Sequence, residues 1–323
     1  MLAVESGQRL RSLAVQPQTV ERYMSGYRVF EKFVVKRYEK AVGDVITTGE
    51  LDDYFEVFCD ECFSVFKGRR RQMCVNALQG VLLVHGHQLK TLLPCSRRAL
   101  SAWSKHVPSK SALPLPQHWV DVIAVCGVLR GYGVLSLGFV VAFEGYLRVG
   151  ELCRLRGSDI LVDGAVGSGS KGCGLRIRIA KTGRNQFARI SDPLVVKVLR
   201  FLKSRTGGEE LVFQGATPRV FNGLLKLLCQ QLGLLQHFTM HSLRHGRASK
   251  GHLDREMPEH IRLDGRWASS KSMETYLQAA TSLLQTLLCP ALFRELIPLG
   301  PLFRTHLVSL YHSVSRRPSA GTL

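Results

Sequence analysis

The stretch His241-Ser242-Leu243-Arg244 is followed in the sequence by Trp267 and then by Tyr276. Two further basic residues precede it: Arg148, which lies in an apolar neighbourhood, and Lys181, which follows a strand-like segment. A histidine and an arginine three positions apart share one face of a helix, about one turn from each other. The sequence therefore predicts a helix near residue 241 that carries an imidazole and a guanidinium side by side.

Together these side chains form a set that can cut a phosphodiester without a metal ion. Arginines hold the non-bridging oxygens of a phosphate, and the phenol of Tyr276 can attack phosphorus. A free phenol has a pKa of about 10, so it needs nearby cations and a base, for which His241 is the candidate. Lys181 can protonate the leaving oxygen, and Trp267 Nε1 can donate to a phosphate oxygen.

The order and spacing of these residues resemble the signature of the tyrosine recombinases, the phage-integrase-like family. The resemblance is strong over residues 115–285, extends to residues 15–105 only as a helical arm domain, and does not cover residues 290–323. It implies a single active site in which Glu151 supports the first arginine. The catalytic residues that it implies are Arg148, Lys181, His241, Arg244, Trp267 and Tyr276.

The resemblance also implies a reaction and its partners. Tyr276 attacks phosphorus to give a 3′-phosphotyrosyl link and a free 5′-hydroxyl, and a second strand reverses the step. Because bond energy is conserved, neither ATP nor a metal ion or other cofactor is expected. The partner would be double-stranded DNA, bound by a homo-tetramer on two DNA sites. The stretch at residues 241–246, which ends in His-Gly, resembles recombinases of eukaryotic mobile elements in particular, which would imply a nuclear protein.

Each of these residues also has a plain structural interpretation. His241 could cap or pack while Arg244 pairs with an acid, and Arg148 could form a simple ion pair with Glu151. A lysine in a loop is usually solvated, and a tryptophan or tyrosine on a helix is more often part of the core. All members of the signature are present in the expected order and spacing, which favours the catalytic interpretation over these alternatives.

The chain is strongly basic, with 44 lysines and arginines against 25 acidic residues, a net charge of +19 and a pI near 9.9. This balance favours a polyanionic partner, nucleic acid before an anionic membrane. We expect several basic residues to contact DNA, although a solvated helix start or a nuclear import signal would also explain most of them. These residues are Lys67, Arg69, Arg70, Arg71 and Arg184.

The nine cysteines are an odd number at scattered spacing, which is typical of reduced thiols in an intracellular protein. Cys59 and Cys62 form a lone C-x-x-C that could combine with His85 and His87 as a zinc site. Both cysteines continue a helical apolar stripe, so buried thiols are the preferred interpretation and no metal site is expected. We also expect no signal peptide and no membrane span.

Apolar periodicity predicts a mainly α protein with a small β-hairpin or sheet, of the α+β class. We expect a flexible lead over residues 1–16, a helical core-binding domain over 17–103 that clamps DNA, and a linker over 104–116. Thr19 is predicted to cap the first helix. Residues 117–288 are expected to form the catalytic domain, with Lys181 at a hairpin turn. Residues 289–323 are expected to be a partly disordered extension, and the apolar residues 287–307 could dock on a neighbouring subunit.

Other functions remain open at this point. A type IB topoisomerase-like enzyme would use the same chemistry on one duplex. A DNA-binding protein derived from a recombinase would hold DNA without cutting it. A chance match in an unrelated basic helical protein would leave Arg148, Arg244 and Tyr276 dispersed in the fold.

Overall fold

The computed structural model describes residues 15–44, 47–86, 91–107, 112–162, 173–180 and 183–315. Most of the predicted lead and part of the predicted linker lie outside these ranges. The chain divides into two compact units, Met1–Lys110 and Ser111–Leu323. Within the described ranges, no helix combines the length and the apolar character that crossing a bilayer requires.

The first unit is a small helical bundle built around phenylalanines. Its helices are α1 (Pro17–Tyr38), α2 (Thr48–Val65), α3 (Arg71–His85) and α4 (Pro94–His106). The rings of Phe30, Phe55 and Phe58 lie 4.9–5.7 Å apart in its core, where aromatic pairs add to the hydrophobic stabilisation. The predicted cap at Thr19 is wrong, because α1 already begins at Pro17, whose fixed φ suits the first turn of a helix.

The C-x-x-C cysteines of this unit contribute to its core. Cys59 and Cys62 are both buried on α2. The ring of His85 hydrogen bonds to the hydroxyl of Tyr27 at 3.0 Å, and His87 lies outside the described residues. In the part of the chain that the structure describes, no group of His, Cys, Asp and Glu side chains is arranged to hold a metal ion.

The second unit combines helices with one sheet. It begins with α5 (Gln117–Leu129), α6 (Gly133–Glu144), α7 (Val149–Leu152), β1 (Ile160–Val162), β2 (Cys173–Ala180) and β3 (Gly183–Ile190). It continues with α8 (Pro193–Ser204), α9 (Pro218–Gln231), α10 (Met240–Leu253), α11 (Pro258–Asp264) and α12 (Ser270–Glu274). It ends with α13 (Ala279–Leu287), α14 (Ala291–Leu296), α15 (Leu299–Thr305) and α16 (Leu307–Ser315).

The described strands form an antiparallel sheet in the order β1-β2-β3. The pair β2–β3 is the predicted hairpin, with Leu175 opposite Ala188 and Ala180 opposite Gly183. Leu175 and Ala188 are buried on one face, while Arg176 and Phe187, also paired, are exposed on the other. This alternation has the period of two that a half-buried strand requires. The predicted class, mainly α with a small sheet (α+β), is confirmed.

The helices α5 and α6 are apolar on nearly all sides, and they lie at the centre of the second unit. The segment after residue 288 covers one side of this centre. Phe293 of α14 contacts Trp119 with ring centroids 5.0 Å apart. Arg304 of α15 forms ion pairs with Asp121 and Asp192 at 3.4 and 2.5 Å. Part of residues 287–307, predicted as a candidate docking segment for a neighbouring subunit, therefore packs against its own unit, while Leu287, Leu288 and Leu302 are exposed.

Candidate active site

The first turn of α10 carries the predicted histidine and arginine. Ser242 Oγ accepts a hydrogen bond from the main-chain N–H of Thr239 at 3.1 Å, which fixes the start of the helix. His241 is exposed, whereas Arg244, about one turn further on, is 0% exposed. The helix thus directs the guanidinium into the unit and leaves the imidazole at its surface.

Arg244 is held by main-chain carbonyls and by aromatic faces. Its guanidinium donates to the carbonyl oxygens of Tyr146 and Gly265, the latter at 2.5 Å. Its Cζ lies 4.3 Å from the centre of the Trp267 ring and 5.4 Å from that of Tyr276. A cation in this position is attracted by the electron-rich ring faces. Both hydrogen bonds go to main-chain carbonyls, whereas the plain structural interpretation expected Arg244 to pair with an acidic side chain.

Glu151 joins two arginines beside Arg244. It accepts hydrogen bonds from Nη1 of Arg148 at 2.7 Å and from the main-chain N–H of Arg148 at 3.0 Å, so it caps α7 and orients Arg148 at once. Nη2 of Arg266 donates to the same carboxylate at 2.8 Å and to the carbonyl of Tyr146 at 3.3 Å. Since Arg244 also donates to that carbonyl, the three arginines form one connected cluster.

Sequence reasoning missed Arg266. It is 9% exposed and occupies the left-handed region with φ of 57°, between Gly265 and Trp267. Its partners come from residues 145–151, more than a hundred positions earlier in the chain. The one local signal was a permanent charge next to a tryptophan, and such a signal does not identify a partner so far away in sequence.

The cluster concentrates positive charge. Burial lowers the pKa of Arg244 to about 9, and repulsion from Arg148 and Arg266 acts in the same direction. Burial alone would raise the pKa of Glu151, but Arg266 and the hydrogen bonds from Arg148 outweigh it and lower that pKa below its ordinary value. A bound anion would relieve the repulsion among the arginines, so the cluster is suited to hold a phosphate.

We expect Glu151→Gln to destabilise the second unit by about 3 kcal/mol, because it removes the buried charge that Arg148 and the buried Arg266 share. Thermal unfolding at neutral pH measures this loss. The lowered pKa means that ionised Glu151 stabilises the fold above pH 4.5 and that this contribution is lost as the pH falls through the lowered value. The difference between wild type and variant should therefore shrink in acid.

The matched control is Glu295→Gln, the same substitution on the exposed face of α14. It should leave the unfolding temperature unchanged. Equal stability of Glu151→Gln and this control would show that the carboxylate does not hold the arginines in place.

Tyr276 follows α12 and lies among the other predicted residues. Its ring centroid is 4.9 Å from that of Trp267 and 5.2 Å from that of His241. The ring of His245, which sequence reasoning did not single out, stacks on it at 4.5 Å with an interplanar angle of 25°. Tyr276 is partly buried. The fold thus brings the phenol, the imidazole, the indole and the Arg244 guanidinium into one group.

Trp267 packs its ring against this group. It is 5% exposed and meets Tyr146 edge-on at 5.6 Å. Its Nε1 is buried, and within the described ranges it has no hydrogen-bond acceptor. A donor of this kind could reach a phosphate oxygen only after the ring shifts, and the proposed donation by Trp267 stays a prediction.

The remaining predicted residues belong to the first unit or lie outside the described residues. Lys181 falls between β2 and β3, outside the described residues, as does the side chain of Arg184. In the first unit, Lys67, Arg69 and Arg70 are exposed around the turn between α2 and α3. Arg71 differs from them, because its Nε donates to the carbonyl of Leu100 at 3.0 Å and thus joins α3 to α4.

Gly246 lets α10 pass close to the segment that enters the second unit. A Cβ at Gly246 would lie 1.9 Å from the carbonyl oxygen of Leu115. The main-chain N–H of Leu115 donates to the carbonyl of Ser242 at 3.0 Å, which holds this segment against the helix. The glycine is thus required by a main-chain contact, and it sets the distance between α10 and residues 112–116.

We expect Gly246→Ala to destabilise the second unit by about 3 kcal/mol, because the new methyl group must displace a main-chain carbonyl. For a unit of this size that corresponds to a fall of roughly 6–12 °C in unfolding temperature. Gly223→Ala is the matched control: it lies on α9 with nothing within 4 Å of its Cβ position. Alanine favours a helix over glycine by about 1 kcal/mol, so the control should be neutral or slightly stabilised. A neutral Gly246→Ala would contradict the close contact.

Solved structures of DNA integrases and recombinases resemble the chain over most of its length. The Tn1549 transposon integrase in complex with transposon right end DNA is 15% identical, with a TM-score of 0.58 over 87% of this chain and 97% of that chain. A lambda integrase dimer bound to a core site is 17% identical, with a TM-score of 0.56 over 85% and 94%. The XerH site-specific recombinase bound to a palindromic difH substrate is 12% identical, with a TM-score of 0.54 over 82% and 78%.

No protein-family model matches the sequence, and no curated protein does so either. At these identities the structural likeness shows the fold. The chain has the fold of these integrases and recombinases, in agreement with the resemblance in its sequence.

Proposed function

We propose that the protein is a site-specific DNA recombinase or integrase that cuts and rejoins DNA through a 3′-phosphotyrosyl intermediate. The observation that carries the proposal is the position of Tyr276. Its ring lies against Arg244 and Trp267, beside the cluster that Glu151 forms with Arg148 and Arg266. A phenol next to several fixed cations has what it needs to attack a phosphate, because the cations stabilise both the phenolate and the charge that develops on phosphorus.

In the proposed step, Tyr276 Oη forms a bond to phosphorus while its proton passes to His241. The bond from phosphorus to the 5′-oxygen breaks, and Lys181 protonates that oxygen. Arg148, Arg244 and Trp267 stabilise the charge on the non-bridging oxygens. One phosphodiester is exchanged for another, so the step needs neither ATP nor a metal ion. A 5′-hydroxyl from a second strand then reverses the exchange.

The burial of Arg244 implies that the site opens when it binds DNA. With 0% exposure, the guanidinium can reach a phosphate only when the Trp267 or Tyr276 ring shifts. A phosphate would then replace the aromatic faces as the partner of the guanidinium. Its charge-assisted hydrogen bonds to the guanidinium would be stronger than the attraction of the cation to a ring face.

The net charge of +19 supports double-stranded DNA as the partner. Within the proposal, Lys67, Arg69, Arg70 and Arg184 contact the DNA backbone, and recombination takes place in a homo-tetramer on two DNA sites. The neighbours with solved structures were determined with transposon end DNA, a core site and a difH substrate. They support this choice of partner without identifying the target sequence.

Covalent capture tests the proposed function. The protein is incubated with random duplexes that carry a nick, so that the short cleaved strand diffuses away and rejoining stops. The proposal predicts a protein–DNA adduct resistant to denaturant, and the sequences recovered from it should converge on a site. Bound DNA without any adduct would indicate a non-cleaving binder. Relaxation of supercoiled plasmids, combined with adducts at unrelated sequences, would indicate a topoisomerase-like enzyme.

A further inference from the structure

The main chain around Tyr276 is tied to the body of α10. Ser249 Oγ accepts a hydrogen bond from the main-chain N–H of Gln278 at 2.9 Å and donates to the carbonyl of Tyr276 at 3.4 Å. Ser249 is 0% exposed. A buried hydroxyl that bridges residues on both sides of Leu277 fixes the path of the chain where the phenol is attached, since leaving any of these groups unsatisfied would be unfavourable.

The side chain of Gln278 extends this connection. Its Nε2 donates to the carbonyl of Ala112 at 3.2 Å and lies 3.0 Å from Nδ1 of His245. An amide nitrogen is a donor only, so Nδ1 accepts and the imidazole proton is on Nε2. The His245 ring also contacts the ring of Tyr276, with a centroid distance of 4.5 Å. His245 thus contacts the residue two positions after the tyrosine and the tyrosine itself.

The His245 ring completes the arrangement by stacking on the phenol at 4.5 Å. Because His245 is 4% exposed, its ring has little freedom to leave this position. Burial and the nearby His241 lower the pKa of His245 to about 4, so the ring is neutral at ordinary pH and keeps Nδ1 free of a proton to accept from Gln278. His245 and Ser249 lie on α10, the helix that carries Arg244, so their contacts hold the Tyr276 segment beside that arginine.

We infer that His245, Ser249 and Gln278 are positioning residues that hold Tyr276 for attack within its own subunit. We call these three residues the tyrosine clasp. The clasp fixes the main chain and one ring face and leaves the hydroxyl to the reaction. The inference rests on the proposed function, and it adds which residues position the nucleophile and which subunit supplies it.

The first test removes the side-chain hydrogen bonds of Gln278 without changing charge. Gln278→Met keeps the length of the side chain and loses both donors, and Gln230→Met makes the same change on the exposed end of α9 as a control. At saturating nicked DNA we expect Gln278→Met to slow adduct formation on the order of 10²-fold, as a misplaced nucleophile does. The affinity for DNA should equal that of the control. A rate equal to the control would overturn the inference.

A second variant guards against a merely structural effect. His245→Phe keeps a ring against Tyr276 and removes the hydrogen bond between the imidazole and Gln278. If the clasp acts as a unit, Gln278→Met should slow the reaction much less in the His245→Phe background than in wild type. Independent effects that multiply in the double variant, or rates that follow the unfolding temperature alone, would contradict a positioning role.

Mixing two impaired variants tests which subunit supplies the tyrosine. Tyr276→Phe and Arg244→Lys are combined on a site that binds two copies. Since the clasp keeps Tyr276 in its own subunit, every active site in the mixture has one defect, and the adduct should not exceed the slow background of Arg244→Lys alone. Restored adduct would mean that the tyrosine comes from another copy, and the inference would fail while the proposed function stood. Failure of the proposed function itself would differ, because wild type would then form no adduct.

Discussion

Tyr276→Phe is expected to abolish formation of the covalent adduct and to leave DNA binding nearly intact. The substitution removes one oxygen atom and keeps the ring that packs against Trp267 and His245. Without that oxygen no bond to phosphorus can form, so the rate should fall by at least about 10⁴-fold, as it does when a nucleophile is removed. Single-turnover cleavage of nicked DNA and a binding titration measure the two effects.

Tyr132→Phe is the matched control, because Tyr132 belongs to the same unit and is 39% exposed. It should cleave at the wild-type rate. Persistent adduct with Tyr276→Phe would show that another side chain attacks phosphorus. Equal loss of binding and cleavage would mean that Tyr276 only supports the fold.

Arg244→Lys is expected to lose most of the cleavage activity, on the order of 10²–10³-fold at saturating DNA. The guanidinium reaches the carbonyls of Tyr146 and Gly265 at once and lies over the Trp267 ring. A lysine is a compact point charge that cannot reproduce this fork or form two parallel bonds to a phosphate. The single-turnover rate of adduct formation is the measurement.

The control for this substitution is Arg219→Lys on the exposed face of α9, which makes the same chemical change away from the cluster. Its rate should match wild type. If Arg244→Lys also cleaved at that rate, Arg244 would be a structural arginine rather than a phosphate ligand. An unfolding temperature for Arg244→Lys, measured alongside, separates a loss of fold from a loss of chemistry.

Much of the fold was predictable because its signals are local. The period-two alternation of Leu175, Arg176 and Ile177 predicted the hairpin, and the spacing of His241 and Arg244 predicted a helix. The sequence predicts the start of α1 too late. Threonine is a common N-cap residue, but the helix already begins at Pro17. The N-cap preference of threonine favours one start of the helix, but a proline, whose fixed φ suits the first helical position, can shift that start.

Of the candidate site, the sequence predicted only the residues that belong to the recombinase-like motif. The positions of Arg148, Arg244, Trp267 and Tyr276 came from their order in the chain, and the structure brings these residues close together. The role of Arg266 was not predicted, because its partners lie more than a hundred residues away in sequence and meet it only in the folded chain. The same holds for the contacts His245–Gln278 and Gln278–Ala112, which join distant parts of the sequence. No local pattern encodes such contacts.

The apolar segment over residues 287–307 shows a second kind of limit. Its apolar residues suggested docking on a neighbouring subunit, and its three prolines argued against that role. The structure answers both points, because Pro290 and Pro298 immediately precede the short helices α14 and α15. Phe293 then fills the core beside Trp119. The sequence suggested that the segment could dock on a neighbouring subunit, and it did not show that Phe293 would pack into the core of its own unit.

The most direct test of the central claim is to locate the covalent bond between protein and DNA. Wild-type protein trapped on nicked DNA is digested with protease and nuclease, and the modified peptide is sequenced by mass spectrometry. We predict a 3′-phosphonucleotide on the hydroxyl of Tyr276 and on no other residue. A nucleotide attached to a different side chain, or joined through its 5′ end, would contradict the assignment of this group of residues as the active site.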